Sequence, residues 1–285
     1  MEKNSSYLIW KKIQDPTNAN EFLVGRTLAR ELHQKNFKDI AIQYIFIKPK
    51  DAERVFKIIP SSWESIKGVG IDLGGGIGCM SSLVAKKDEV EKVYCVEYTE
   101  DLVKLCQPVM KRAILGERAD KVISVVGDFD NLELADNSLD FAISWDSIHH
   151  SHDPVKTLKE CRRVLKSGRR LIMVDRAHNN STPDSEIDRM HNIVYDKDYL
   201  RRNYLDENMI MTRIENGEHE WRFNEWENFF QQSGLKLLEM VILKTDTKEN
   251  RELKNDRNLE EIFLPFKIGG FGHRKIGFVL EAMKD

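Results

Sequence analysis

The sequence predicts an α/β fold, a doubly wound and mostly parallel sheet with helices on both faces. Short runs rich in β-branched residues alternate with helical patterns from residue 69 to residue 174, as in parallel sheets joined by crossover helices. A glycine-rich turn, Gly74 to Gly78, separates the first strand from its helix, and Glu97 ends the next strand. That acid follows the turn by about 20 residues, the spacing of the carboxylate that binds ribose in nucleotide-binding βαβ units.

The elements of the core follow one another closely. Strands are expected at residues 69–73, 93–96, 122–126, 141–144 and 171–174, and helices at residues 79–87, 100–115 and 154–165. Pro154 fits the first turn of the last helix, because no intrahelical bond needs its backbone N–H there. Gly168 follows the end of that helix, where a left-handed residue is favoured.

The segment before the core, residues 1–60, is interpreted as an N-terminal helical cap. Leu8, Ile9 and Ile13 stand at helical spacing, and a further helix is expected to begin near Glu21. Apolar residues that recur every three to four positions indicate one buried helix face. The β-branched and aromatic stretch that follows, residues 40–47, fits a helix or a strand equally well.

The core at residues 61–175 is followed by an insertion at residues 176–225. The insertion is expected to contain one long helix, at residues 186–204. Ligands of doubly wound sheets bind over the carboxyl ends of the strands, so this insertion is expected to roof a ligand pocket. Residues 226–285 are expected to complete the sheet, with a helix at 226–233, strands at 235–243 and 275–281, and a solvated hairpin or loop at 244–261.

Composition narrows the class of protein. The 44 basic and 47 acidic residues give a net charge of -3, which argues against a general nucleic-acid binder. Four cysteines without a C-x-x-C pair indicate reduced, buried thiols. The first residues lack the apolar run of a signal peptide, and no segment approaches 18 apolar residues. We therefore expect a cytoplasmic protein that does not enter a membrane.

The acid before the glycine turn bears on the ligand. The pattern is Asp72-x-Gly74-x-Gly76-x-Gly78, whereas a dinucleotide fingerprint reads G-x-G-x-x-G and places a diphosphate at the helix N-terminus. A carboxylate at this point would repel a diphosphate but suits a ligand with an ammonium or sulfonium group. An NAD-dependent dehydrogenase is therefore the less favoured interpretation.

Two later motifs complete an ordered set. Asp128-Phe129 ends the strand at residues 122–126, and the stretch 134–144 leads into the next strand. Together with the glycine turn and Glu97, this set resembles the class I S-adenosylmethionine (SAM)-dependent methyltransferases, in particular the small-molecule, methyltransferase type 11-like group. The resemblance covers residues 67–176, with a weaker match from residue 226. It implies a seven-stranded, Rossmann-like methyltransferase sheet with its last two strands antiparallel, SAM as cofactor and S-adenosylhomocysteine as product.

The resemblance assigns the methionine and ribose parts of SAM to residues after the first two strands. Asp72 would take the amino group, directly or through water, beside the turn formed by Gly74, Gly76 and Gly78. Glu97 would accept both ribose hydroxyls, which suit a carboxylate as a bidentate pair.

The adenine and sulfonium contacts are assigned to aromatic and acidic residues after later strands. Tyr98 would lie along one adenine face, Phe129 would help to enclose the ring, and Asp128 would accept from the exocyclic amine. The loop that begins at Trp145 would run beneath the sulfonium. The alternatives are that Asp128 only forms a turn and that both aromatic rings belong to the core.

Histidines offer a base for the reaction. His149, His150 and His152 follow the strand at residues 141–144, where an acceptor would meet the methyl group. His suits a general base near neutral pH. His150 is the first choice for this catalytic role and His149 the second, because the family's position corresponding to His150 faces the acceptor more often.

A metal is not part of the predicted site, although a second set of residues keeps a metal site open as an alternative. Asp175, His178, Asp188 and His191 follow one another at D-x-x-H spacing, and such ligands suit several divalent ions.

The function predicted from these residues is SAM-dependent methyl transfer to an O, N or C atom of a small-molecule acceptor. A SAM-binding protein of the same fold without methyl transfer, such as a decarboxylase, a cyclase or a non-catalytic subunit, is the alternative, because chemistry resides in the site rather than in the fold. The expected partners are a small molecule and a second copy of the chain in a homodimer, but not nucleic acid or a membrane.

Overall fold

A computed structural model describes residues 7–11, 23–34, 56, 60–243 and 274–283. Within them one sheet contains eight strands: β1 (Tyr7–Ile9), β2 (Gly68–Leu73), β3 (Val90–Glu97), β4 (Val122–Val126), β5 (Leu139–Trp145), β6 (Leu165–Ala177), β7 (Leu235–Leu243) and β8 (Arg274–Ala282). Across the sheet they lie in the order β1-β4-β3-β2-β5-β6-β8-β7. All neighbours from β1 to β6 pair parallel, whereas β8 pairs antiparallel with both β6 and β7.

This topology confirms the doubly wound, mostly parallel sheet, and the antiparallel arrangement of the last two strands. The strand order reverses between β2 and β5, so the carboxyl ends of these two strands border the crevice in which ligands of such sheets bind. The expected count of seven strands is wrong, because the described sheet contains eight.

Helices cover both faces of the sheet. They are α1 (Leu23–Gln34), α2 (Pro60–Ser65), α3 (Cys79–Val84), α4 (Gln107–Leu115), α5 (Pro154–Val164), α6 (Asp184–His191), α7 (Lys197–Arg202) and α8 (Phe223–Gln232). Residues of α5 and α8 belong to one buried cluster, centred on Trp226 and Phe278, and residues of α1, α3 and α4 belong to another. Since each cluster packs on different sheet residues, the parallel strands are buried on both sides.

The additional strand is β1, where a helix was expected. Tyr7 pairs with Ser124 of β4, and the Trp10 N–H donates to the Val126 carbonyl at 2.9 Å. Trp10 is buried, while Leu8 and Ile9 are exposed, so these two side chains do not form the buried helix face that their spacing predicted. The pairing with β4 satisfies backbone groups that would otherwise leave an open sheet edge. The second helix of this block is confirmed as α1.

The insertion contains two short helices rather than one long helix. Helix α6 ends at His191 and α7 begins at Lys197. The carboxylate of Asp196 accepts from the Tyr199 N–H at 2.7 Å and so caps α7, which favours a new helix start over a continuous one. The segment between the helices pairs with residues 211–213, through Val194 and Tyr195.

Other expectations are tested only in part. The helix expected at residues 100–115 begins as a π-helical turn, Leu102–Cys106, before α4. All four cysteines are buried and free, as expected. In the described ranges, every helix is too short or too polar to cross a bilayer. Ile13 and the segments 40–47 and 244–261 lie outside the described residues.

Candidate active site

The glycine turn lies at the carboxyl end of β2. Gly74, Gly76 and Gly78 all have positive φ angles, of 69°, 52° and 83°, which side chains with a Cβ rarely adopt. A Cβ at Gly74 would lie 2.6 Å from the Cβ of Ser147, whereas a Cβ at Gly76 would meet no described atom within 4 Å. Gly74 is therefore required by packing, and the backbone at Gly76 faces open space. Gly78 precedes α3 and opens its N-terminus.

Glu97 binds the turn from the neighbouring strand. One carboxylate oxygen accepts from the Gly76 N–H at 3.0 Å, and the other accepts from the Thr99 N–H at 2.8 Å. A carboxylate offers about four acceptor positions, and these two backbone bonds use one on each oxygen. The two residues that the sequence assigned to one ligand are thus in direct contact.

Asp72 lies beneath the turn and is almost completely buried. Its carboxylate accepts from the Ser81 hydroxyl at 2.6 Å. Burial raises the pKa of Asp72 to about 6, and the nearby charge of Glu97 raises it further. A cation bound above the turn would favour the ionised form. Contact between Asp72 and the amino group of SAM remains a prediction.

The aromatic and acidic residues assigned to adenine lie at the neighbouring strand ends. Phe129 reaches the turn, since a ring atom lies 3.8 Å from where a Gly74 Cβ would stand, and Tyr98 is half-buried directly after Glu97. Asp128 accepts from the Asp130 N–H at 2.9 Å, a bond typical of an aspartate that stabilises a turn. Contact between Asp128 and adenine remains a prediction. Trp145 packs edge-on against Phe56 with 5.5 Å between ring centroids.

These residues fit SAM on two structural observations. The open space at Gly76 is a cradle that any Cβ would fill. Beside it, the Gln107 side-chain amide donates to the Gly76 carbonyl at 2.9 Å, while its Oε1 is buried and has no partner in the described part of the chain. An orphaned buried acceptor is costly, and a ligand donor would satisfy it.

His149 is fully buried, and both of its ring nitrogens have partners. Nδ1 lies 2.7 Å from an Asp175 carboxylate oxygen, and the Arg176 guanidinium donates to Nε2. Because arginine only donates, Nε2 is the acceptor and Nδ1 carries the hydrogen. His149 therefore has no free nitrogen for an acceptor molecule. The contacts of His149 with Asp175 and Arg176 indicate that it positions the Arg176 guanidinium.

His150 has the opposite arrangement. Its Nδ1 lies 2.8 Å from the Gly217 carbonyl oxygen, which can only accept, so Nδ1 carries the hydrogen and Nε2 has a lone pair. In the residues the structure describes, Nε2 has no hydrogen bond. Burial lowers the pKa of His150 to about 4, with a further contribution from His149. The ring is neutral near pH 7 and presents an acceptor.

Sequence reasoning missed a charged network at the ends of β5 and β6. Arg176 is 14% exposed and contacts a Glu218 oxygen at 2.6 Å and an Asp146 oxygen at 3.2 Å. Lys275 of β8 contacts the other Asp146 oxygen at 2.9 Å. Arg176 thereby joins the core to the insertion. The available signal was a charged residue at the carboxyl end of each of two adjacent parallel strands, Asp146 after β5 and Arg176 near the end of β6.

The metal site suggested by D-x-x-H spacing is not assembled. His178 contacts Glu220 at 2.6 Å, and the Glu220 N–H donates to His191 at 3.1 Å. Among the described residues, two other groups have ligand atoms within 4.8 Å of one another: His149, His150 and Glu218; and Asp146, His149 and Asp175. In both groups the Arg176 guanidinium already contacts His149 and a carboxylate.

Part of the chain is similar in sequence to known methyltransferases. Residues 71–173 match the family described as "Methyltransferase domain". Norajmaline N-methyltransferase of Rauvolfia serpentina is 30% identical over 118 residues, 41% of this chain and 38% of that protein. The chain spans about two fifths of the curated relatives it matches.

Two solved structures share the fold. One is that of a putative sarcosine dimethylglycine methyltransferase from Galdieria sulphuraria, with a TM-score of 0.56, 19% identity, and coverage of 83% of this chain and 87% of that one. The [4+2]-cyclase SpnF also has a TM-score of 0.56, at 14% identity and with coverage of 83% and 82%. The chain therefore shares the fold of these proteins, and its residues 71–173 match a methyltransferase domain.

Proposed function

We propose that the chain transfers the methyl group of SAM to a small-molecule acceptor held at the carboxyl end of β5. The contact between Glu97 and Gly76 carries the proposal, because it joins the ribose carboxylate to the open glycine cradle. SAM supplies an electrophilic methyl group. Asp72, the glycine turn and Glu97 would bind the methionine and ribose, and Tyr98, Asp128 and Phe129 would surround the adenine.

Catalysis by such a site consists mainly of holding the acceptor on the methyl–sulfur axis. His150 would receive the hydrogen of the acceptor at Nε2, and Arg176 would hold the insertion against the core through Glu218. The sequence alone leaves the acceptor atom open among O, N and C. Three further statements remain predictions: the acceptor is not nucleic acid, the chain forms a homodimer, and the protein is cytoplasmic.

The direct test is calorimetry with SAM, followed by incubation with a metabolite panel and detection of S-adenosylhomocysteine. Binding together with product formation is expected. Binding of SAM without S-adenosylhomocysteine from any acceptor would instead favour the non-transferring alternative, of which a cyclase of the same fold is an example. Absence of SAM binding would reject both.

Replacement of His150 by alanine should lower turnover and leave SAM affinity nearly unchanged. General-base assistance contributes roughly 10²–10⁴-fold when a hydroxyl reacts, and less when a neutral amine reacts. His152→Ala, two residues further along the same loop, is the matched control. Parallel loss of SAM affinity in His150→Ala would mean that His150 orders the cofactor site instead.

The pH dependence of turnover follows from the lowered pKa of His150. A group with a pKa of about 4 is neutral at higher pH and becomes protonated as the pH falls through that value. The part of turnover that depends on His150 should therefore be lost only in acid, near pH 4, and not near neutrality as for an unperturbed histidine. A kcat profile with its acid limb near pH 6.5 in wild type, absent from His150→Ala, would contradict this.

Helix α1 and the insertion should become protected when SAM binds. Leu23 and Val24 of α1 pack against the insertion cluster around Leu200 and Met211, and a Cβ at Gly25 would lie 3.3 Å from the Thr99 hydroxyl, two residues after Glu97. Helix α1 thus contacts both the insertion and the residues that follow Glu97. Hydrogen exchange with and without SAM measures this, with β7 at the far sheet edge as the internal reference. Protection confined to residues 67–129 would contradict the prediction that α1 and the insertion cover the ligand pocket.

A further inference from the structure

We propose that the acceptor is an amine, bound between Nε2 of His150 and Oε1 of Glu218. This rests on the proposed methyl transfer and names its substrate class. The ion-pair contacts of Glu218 with Arg176 and Arg213, at 2.6 and 3.4 Å, are made through Oε2. Within the described ranges, neither Oε1 nor the His150 Nε2 has a hydrogen bond. Both open atoms are acceptors, so a ligand at this point must bring donors.

The ring nitrogens and the carboxylate lie close enough to contact one small ligand. Ring nitrogens of His149 and His150 and a carboxylate oxygen of Glu218 lie within 4.8 Å of one another. Two acceptors that each receive a hydrogen bond from one tetrahedral nitrogen stand about 4.7 Å apart. A neutral primary amine has two N–H groups and one lone pair. With both N–H groups bound, the lone pair remains for the methyl carbon.

Other acceptor classes fit less well. A hydroxyl has one O–H and would leave one of the two acceptors unsatisfied, and a carboxylate would bring no donor and would be repelled by Glu218. A hydroxyl must also lose its proton, for which a histidine with a pKa of about 4 is a weak base. A neutral amine attacks without that help.

The charges of the network favour the same class. In the described residues, the four carboxylates of Asp146, Asp175, Glu218 and Glu220 outnumber the three cations that contact members of this group, which are Arg176, Arg213 and Lys275. One negative charge is therefore in excess around the neutral ring of His150. Since Arg176 already contacts His149 and Glu218, an organic N–H donor suits the remaining atoms better than a metal ion.

The step balances without a further reagent. The amine lone pair forms the N–C bond, and the C–S bond breaks with its electron pair on sulfur. The positive charge passes from sulfur to nitrogen, where Glu218 faces it. A fixed carboxylate near developing positive charge lowers the barrier because it needs no reorganisation. An alkylamine is mostly protonated near neutral pH, so one proton passes to solvent before the step. The neutral nitrogen then keeps its two hydrogens while the N–C bond forms.

The test is ligand-observed NMR on the wild-type complex with S-adenosylhomocysteine at pH 8. Benzylamine, benzyl alcohol and benzoate serve as probes on one carbon skeleton, and butylamine, butanol and butyrate on a second. We expect the amines to bind roughly tenfold more tightly than the alcohols, one charge-assisted hydrogen bond in favour of the amine. If the amines bind no better than the alcohols, or do not bind, the inference is overturned.

A variant pair identifies the residue. Glu218→Gln should reduce the preference for amines over alcohols about tenfold, because it removes the open carboxylate oxygen. Glu220→Gln is the matched control, since both Glu220 oxygens already contact His178 or Arg213, and it should keep the preference. An unchanged preference in Glu218→Gln would reject Glu218. If S-adenosylhomocysteine fails to bind wild type, the proposed function itself falls, which separates the two failures.

Discussion

Replacement of Glu97 by alanine should weaken SAM binding by about 100-fold or more. The ribose hydroxyls would lose a charged acceptor, at roughly 1.5–3 kcal/mol for each hydrogen bond. The same change removes the acceptors of the Gly76 and Thr99 N–H groups, so the glycine turn also loses its support. Calorimetry with SAM and with S-adenosylhomocysteine measures both affinities.

The matched control is Glu91→Ala, an exposed glutamate on the same strand, which should bind SAM like wild type. Thermal unfolding of the ligand-free variants shows whether the turn has collapsed. Unchanged affinity in Glu97→Ala would remove the ribose assignment. An equal loss in Glu91→Ala would show that the strand, rather than the carboxylate, is responsible.

Replacement of Arg176 by methionine should reduce the free energy of unfolding by about 3–5 kcal/mol. Methionine keeps much of the apolar stem but removes the guanidinium that contacts Asp146, His149 and Glu218. Removing one partner of a buried ion pair leaves uncompensated charge in a low-dielectric environment. Burial raises the pKa of a carboxylate, while Arg176 is the main cause of the low pKa of Glu218, about 2. Urea unfolding at pH 8 measures the loss.

Arg201→Met provides the control, because Arg201 also contacts two carboxylates, Asp198 and Glu207, but on the surface. Exposed pairs contribute little, so this variant should unfold at nearly the wild-type urea concentration. Equal losses in the two variants would show that the network around Arg176 is not a buried unit. Because acid protonates carboxylates, the deficit of Arg176→Met should shrink as the pH is lowered towards 4.

The parallel core was predictable because its signals are local. Strand β4 and strand β7 were expected with their observed bounds, since an apolar run bounded by polar residues fixes a strand wherever its neighbours lie. The contact between Glu97 and the glycine turn was predictable for a related reason, because neighbouring parallel strands end at one edge. Strand β1 was not predictable, because a pattern of three residues is too short to identify a strand. Its partner, β4, also lies more than 100 residues further along the chain.

The different roles of the two adjacent histidines were also beyond the sequence. His149 is fixed by Asp175, 26 residues away, and His150 by Gly217, 67 residues away. Such distant contacts decide which ring nitrogen carries the hydrogen and whether the other is open. Glu218 was hidden for a similar reason, as one of 47 acidic residues in an insertion with no local motif. Its importance arises only from the contacts with Arg176 and His150.

The short strand β1 also has a consequence for the behaviour of the chain in solution. It covers β4, whose exposed backbone would otherwise be a template for pairing with a second molecule. Trp10 anchors it by packing on Tyr94 at 6.0 Å, and with only three residues β1 itself offers little edge to a partner. A chain shortened to begin at residue 61 would lose this cover. Residues 7–10 thus cover the edge of β4, a part of the described sheet at which a second molecule could otherwise add a strand.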